Sequence, residues 1–162
     1  MSRLIRRCAV AAVAAVAVVV AGLTAATPSA AAIFYDLPPG VACTFGLQIA
    51  GTGGNADVRG PTGRQVIIAG KGYTLTFTNG STGKILTLDG NGSVQIDKDN
   101  GDGTHTVTNL GHNVIILFPT DFPAGPSTTL YVGSVVYTYD ALGTFRIQRH
   151  SGTTMDICAA LS

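Results

Sequence analysis

The chain has 162 residues, ten Lys and Arg, nine Asp, no Glu and three His, and only 12% of it is charged. So sparse and balanced a charge set excludes the clustered basic footprint that nucleic acid requires and a polybasic docking surface for anionic lipid. The length supports one domain with its own core and is too short for two ordinary ones.

Residues 1–32 read as a secretory signal. Arg3, Arg6 and Arg7 form a basic head, an Ala/Val run follows from Ala9 to Ala21, and Ala30-Ala31-Ala32 supplies a small-residue cleavage site. Cleavage is expected after Ala32, with Ala30 as second choice. The run is rich in Ala and shorter than the roughly 20 strongly apolar residues of a membrane span. Cys8 precedes it, so no Cys is left at the mature start for a lipid. Residues 33–162 then carry three Lys and four Arg against nine Asp, a formal charge of −2. This part is expected outside the cell, free or at the cell wall, with no stable membrane anchor.

The rest reads as β structure. Asp36-Leu37-Pro38-Pro39-Gly40 blocks a helix start and gives an extended lead-in. Val41 to Ala50 alternates, with Cys43, Phe45, Leu47 and Ile49 on one side, and predicts a half-buried strand carrying Cys43 on its core face. Gly51 to Gly54 reads as a loop, and Asn55 to Gly63 as at most a short edge strand ended by Pro61. Gln65 to Ala69 is a strand, Gly70-Lys71-Gly72 a turn, and Tyr73 to Thr78 a strand with Tyr73, Leu75 and Phe77 inward. Asn79-Gly80 is a hairpin dipeptide. Ile85 to Leu88 returns, Asp89 to Gly92 turns, and Ser93 to Ile96 is the next strand, before a polar loop from Asp97 to Gly103.

Thr104 to Thr108 alternates, and Gly111-His112-Asn113 interrupts. Val114 to Phe118 is apolar without a break, which predicts a central strand covered on both faces. Pro119 ends it. Asp121 to Ser127 is a loop. Leu130 to Tyr139 is a long strand with a bulge or bend at Gly133. Thr144 to Gln148 returns, Ser151-Gly152 turns, and Thr153 to Cys158 is a last strand or the start of a short terminal helix through Leu161. Strands with turn signals every eight to twelve residues imply an all-β fold, an antiparallel two-sheet β-sandwich of about eight strands.

Cys43 and Cys158 are the cysteines left after the signal. An even count in an oxidising compartment predicts a disulfide between them. Two thiols make only half of a tetrahedral metal site.

Four groups of residues are candidates for chemistry. Asp97, Asp99 and Asp102 alternate as Ca²⁺ ligands do, but the spacing misses the EF-type order and the chain has no Glu for its last position. The bland reading is a solvated turn. His105, His112 and His150 show no zinc-type spacing, and His105 reads as a partly buried structural residue. The serines lack a Gly-x-Ser-x-Gly setting, and the adjacency of His150 and Ser151 says nothing about a triad. Tyr131, Tyr137 and Tyr139 share strand parity and form either a stacking platform for a sugar or apolar ligand or core and edge packing. The absence of Trp weighs against a sugar.

Several stretches carry a resemblance: Cys43-Thr44-Phe45, Leu75-Thr76-Phe77-Thr78-Asn79 with Thr82-Gly83-Lys84, Leu117-Phe118-Pro119, Gly133-Ser134-Val135-Val136-Tyr137, and Asp156-Ile157-Cys158-Ala159-Ala160-Leu161. With the Ala/Val-rich signal, they make the chain similar to a group of small, functionally uncharacterised secreted proteins of actinobacteria. The resemblance implies secretion, one domain and a disulfide. It carries no activity and no functional residue. Two classes of function follow from the sequence. One is a non-catalytic extracellular module that binds a ligand or protein or sits in the envelope. The other is a small secreted hydrolase with an Asp/His site, which requires a His gathered with an Asp and a further Ser or Asp.

Overall fold

The computed structural model describes residues 33–62, 64–90 and 92–162. The signal segment expected over residues 1–32 lies outside the described residues. Eight strands are followed by one helix: β1 (Ile33–Leu37), β2 (Leu47–Thr62), β3 (Gln65–Asn79), β4 (Ile85–Asp89), β5 (Ser93–Asp99), β6 (His105–Leu117), β7 (Ser127–Tyr139), β8 (Phe145–Asp156) and α1 (Ile157–Leu161). Every strand pairing is antiparallel, and hydrogen bonds join all eight into one sheet of order β1-β2-β3-β5-β6-β7-β8, with β4 on β3. The all-β antiparallel class stands. One sheet does the work expected of two.

Four stretches that read as turns or loops lie inside strands: Gly51 to Gly54 in β2, Gly70-Lys71-Gly72 in β3, Gly111-His112-Asn113 in β6 and Ser151-Gly152 in β8. Gly111 pairs with Gly133, and Gly133 pairs with Gly152. All three have positive φ, at 93°, 132° and 92°. A Cβ on them would run into the carbonyl oxygens of Gly92, Ser151 and Val132 respectively. A row without side chains lets neighbouring backbones come close, so β6, β7 and β8 crease together along it.

Asp121 holds the crease shut. Its carboxylate accepts from the Phe118 N–H just past β6 (2.6 Å) and from the Phe145 N–H that opens β8 (2.8 Å). Phe145 pairs with Tyr139, and Tyr139 pairs with His105. A straight strand of 13 residues, the length of β6, spans about 40 Å. One carboxylate nevertheless ties its far end to the strand beside its near end. Folding the sheet on itself produces the facing layers that a sandwich would have.

Two hydrophobic clusters result. The first joins Ala42, Cys43, Leu47, Ile49, Phe77, Ile157 and Leu161, with Leu75, Leu86 and Leu88 of β3–β4 packed toward Val114, Ile116 and Leu130 of β6–β7. The second, inside the crease, joins Val107, Ile115, Leu117, Tyr131, Val135 and Tyr137, bordered by Tyr139, Phe145 and Ile147. On β6 the even residues feed the first cluster and the odd residues the second. That is the strand covered on both faces that the run Val114 to Phe118 predicts, except that it ends at Leu117 and leaves Phe118 exposed.

Cys43 and Cys158 form the disulfide, with Cα atoms 5.6 Å apart and a sequence separation of 115. Cys43 is fully buried, but it sits in a turn ahead of β2 and not on the strand expected over Val41 to Ala50. Backbone bonds from Val41 N–H to the Pro38 carbonyl (3.3 Å) and from Gly40 N–H to the Cys43 carbonyl (2.8 Å) curl this segment before alternation can take hold. At the other end, β8 runs to Asp156, whose carboxylate accepts the Ala159 N–H (2.9 Å) and starts α1, so strand and helix both occur. A ring this long adds about 4–5 kcal/mol in the chain-entropy account. Among the described residues no helix is long and apolar enough to cross a membrane.

Candidate functional site

A cleft in the described residues follows from how β3 shares its second edge. Thr74–Thr78 pairs with β4, and Gln65–Gly70 pairs with β5. The chain changes over at residues 90–92, where Gly90 N–H bonds the Tyr73 carbonyl (2.8 Å) and a Cβ on Gly72 would overlap the Gly90 carbonyl. β6 follows β5 only as far as Gly111. Beyond that point β4 and the 112–117 stretch of β6 diverge and are not paired to each other among the described residues. A cleft of about 470 Å³ opens in the gap.

Its walls come from both clusters. Leu75, Leu88, Val114, Ile116 and Leu130 belong to the first; Ile115, Tyr137 and Phe145 belong to the second. Among the described residues no Lys or Arg lines it, and the one carboxylate there, Asp89, is engaged by the Thr74 hydroxyl at 3.0 Å. The volume and apolar lining are those of a small-molecule site.

Ser93, Gln95 and two asparagines break the apolar lining. Asn109 and Asn113 lie on the same face of β6, on either side of Gly111, and both line the cleft. Asn109 is 5% exposed. Its Oδ1 and the Nδ2 of Asn113 are buried and have no hydrogen-bond partner in the protein. Such atoms carry a desolvation cost of about 1–3 kcal/mol each, and native proteins hold few of them. Burial raises the Tyr137 phenol above its usual range, with the neighbouring Asn109 amide pulling the other way. The phenol is therefore neutral at ordinary pH. His112 also lines the cleft.

The tyrosines named from parity do share a face, because Gly133 leaves the β6–β7 register continuous. The crease turns that face inward. Tyr131 and Tyr137 are buried, at 9% and 6% exposure, and so do not form an open platform. Tyr137 stacks on Phe145 at 4.8 Å. Tyr139, at the border, stacks on His105 at 4.8 Å between centroids and 10° between planes.

Asp97 ties this pair together. Its Oδ1 meets His105 Nδ1 at 2.9 Å, and its Oδ2 accepts the Tyr139 hydroxyl at 3.0 Å. Tyr139 is pushed up to about 12 by burial and by the carboxylate its hydroxyl bonds. Asp99 accepts the Gly101 N–H (2.7 Å), and Asp102 accepts Thr104 through both its N–H (3.0 Å) and its hydroxyl (2.6 Å). Those two Thr104 bonds lower the Asp102 carboxyl. The three candidate Ca²⁺ ligands are thus used separately. Among the described residues no group of three or more His, Cys, Asp or Glu side chains is placed to hold a metal ion. The histidines do not gather either. His112 lies seven residues along β6 from His105, and His150 sits on β8 edge-on to Tyr131 at 5.4 Å.

Asn109 and Asn113 are the site residues that sequence reading passes over. A signal was there, since Asn is depleted in strands and both fall within a β-type run around a glycine. No protein-family model, no curated protein and no solved structure matches the chain.

Proposed function

We propose that the chain is a non-catalytic binding module that works outside the cell and takes a small, largely apolar ligand into the cleft between β4 and β6. The observation that carries this reading is the 470 Å³ opening walled by both hydrophobic clusters. The disulfide is compatible with an oxidising compartment, and the basic head, apolar run and Ala-rich end of residues 1–32 support export. The low charge and the lack of any Lys or Arg in the cleft among the described residues speak for a neutral extracellular ligand over nucleic acid or anionic lipid. Nile red, a neutral apolar dye, tests the reading. It should gain fluorescence on binding the oxidised protein, and Leu130→Trp, which fills the cleft, should abolish the gain. Equal fluorescence for the variant, with its thermal melt unchanged, would place the dye elsewhere.

The Asp97–His105–Tyr139 cluster favours a second reading, a small hydrolase with an Asp/His site. The carboxylate fixes His105 through Nδ1, as an orienting group does for a general base. Against it, no serine is bonded to the pair among the described residues, the neighbouring Asp99 is engaged by the Gly101 N–H, and the Tyr139 hydroxyl is bonded to the same carboxylate. Turnover of any ester, amide or glycoside in a broad substrate panel, lost in His105→Gln, would bring this reading forward.

A further inference from the structure

The cleft is apolar in its walls and specific in its two buried amides. Asn109 Oδ1 is an acceptor without a donor, and Asn113 Nδ2 is a donor without an acceptor. Both side chains share strand parity with Val107, Ile115 and Leu117 of the second cluster, and both line the cleft. On a straight strand, side chains four residues apart on one face stand about 13 Å from each other. The Asp121 tie shows that β6 does not run straight, and a bend toward the cleft shortens the span. A trans secondary amide presents N–H and C=O on opposite sides, so its two hydrogen bonds reach across roughly 9 Å with bonds of ordinary length. Among the described residues no Lys or Arg lines the cleft to hold an anion, and its one carboxylate is already engaged. A charged ligand would enter without a counter-charge.

We infer that the ligand is a neutral molecule with a secondary amide flanked by hydrocarbon, its N–H donated to Asn109 Oδ1 and its carbonyl accepting from Asn113 Nδ2. This rests on the cleft reading above and adds the chemical class. The apolar flanks lie against Leu75, Leu88, Val114 and Leu130 on one side and Tyr137 and Phe145 on the other. The pattern separates amides from isosteric esters. An ester offers Asn113 the same carbonyl but leaves Asn109 Oδ1 unsatisfied, and that kind of mismatch is what discriminates strongly in buried sites.

Competition against Nile red with N-butylhexanamide, butyl hexanoate and hexanoate tests it. The amide should bind about five- to tenfold more tightly than the ester, and hexanoate should not compete. Asn109→Leu should bring the amide down to the level of the ester and leave the ester unchanged. Asn113→Leu should weaken both. Asn109→Ser serves if the leucine variant does not fold, with the same convergence expected. Equal affinities for amide and ester, or selectivity that survives both Asn variants, would overturn the assignment of class. Dye uptake that Leu130→Trp abolishes would in that case leave the cleft reading intact. Absence of any dye or competitor binding would overturn both. Tighter binding by a short capped apolar peptide than by the alkyl amide, sensitive to the same two variants, would support the amide pattern with a peptide as its source.

Discussion

Asn79 and Asn109 are both buried asparagines on strands, 2% and 5% exposed, and their surroundings differ. Asn79 ends β3 beside the first cluster. Its Nδ2 donates to the Leu161 carbonyl (3.1 Å), and its Oδ1 accepts the N–H groups of Ser81 (2.8 Å) and Thr82 (3.2 Å). One amide thereby caps the hairpin turn and the end of α1. Asn109 sits in the crease with Oδ1 unanswered. The same contrast runs through the two halves. Both clusters border the cleft, but the first is closed at its other end by a helix, a disulfide and a satisfied amide, whereas the unmatched polar atoms lie on the strand face of the second. A buried polar group with all its partners is a structural device. One without partners at a cavity is where a ligand belongs.

The largest expected effect breaks the closed half. Replacing Cys43 and Cys158 by Ala should cost about 4–5 kcal/mol in denaturant unfolding, and reduction of the native protein should cost the same. The loss should appear as a lower midpoint with a larger m-value, since the opened chain exposes more surface. A change under about 1 kcal/mol would mean that the helix and Asn79 hold the termini without the bridge.

Next come the two polar ties. Asn79→Leu leaves the Leu161 carbonyl and two turn N–H groups without partners and should cost about 2–4 kcal/mol. Asp121→Ala frees the Phe118 and Phe145 N–H groups that close the crease and should cost a similar amount. The two should part in a second measurement. Asp121→Ala should also lower Nile red affinity, because Phe145 lines the cleft. Asn79→Leu should leave affinity unchanged at temperatures where the variant is folded. By contrast Asn109→Leu removes an unsatisfied acceptor and should shift stability by no more than about 1 kcal/mol in either direction. A loss as large as that of Asn79→Leu would show that Asn109 is structural after all.

The closed half is the more legible one in sequence. Leu47, Ile49, Leu75 and Phe77 alternate as a half-buried strand must, and an even cysteine pair behind a secretory pattern points to one bridge. The crease hides for a physical reason. Glycine serves both turns and close backbone approaches, so Gly111 reads as a break until its pairing with Gly133 and Gly152 shows three glycines in one row. That pairing is long-range and leaves no local trace. Once the sheet is known to fold there, the rest follows. The face shared by Tyr131 and Tyr137 becomes interior, Asp121 becomes a clasp, and the changeover from β4 to β5 leaves an opening. Asn109 and Asn113 carry meaning only beside that opening.

The smallest effect separates the halves by pH. The first cluster contains no titrating side chain, whereas the second is built on Tyr131 and Tyr137 and bordered by Tyr139. All three phenols are raised by burial, and Tyr139 is pushed to about 12 by burial together with Asp97. An unfolded tyrosine loses its proton near pH 10. Between about pH 10 and about pH 12 the folded protein therefore binds more protons than the unfolded chain, and stability falls as pH rises. The contribution is fully present below pH 10 and is lost through the folded value. Tyr139→Phe should make this decline shallower without removing it, since Tyr131 and Tyr137 remain. Tyrosinate absorbance followed beside the unfolding midpoint would check it. A decline that is unchanged in Tyr139→Phe would mean that the Asp97–Tyr139 contact does not couple the phenol to folding. A decline carried equally by the first cluster, seen as early opening of α1 in hydrogen exchange at alkaline pH, would erase the distinction between the two halves.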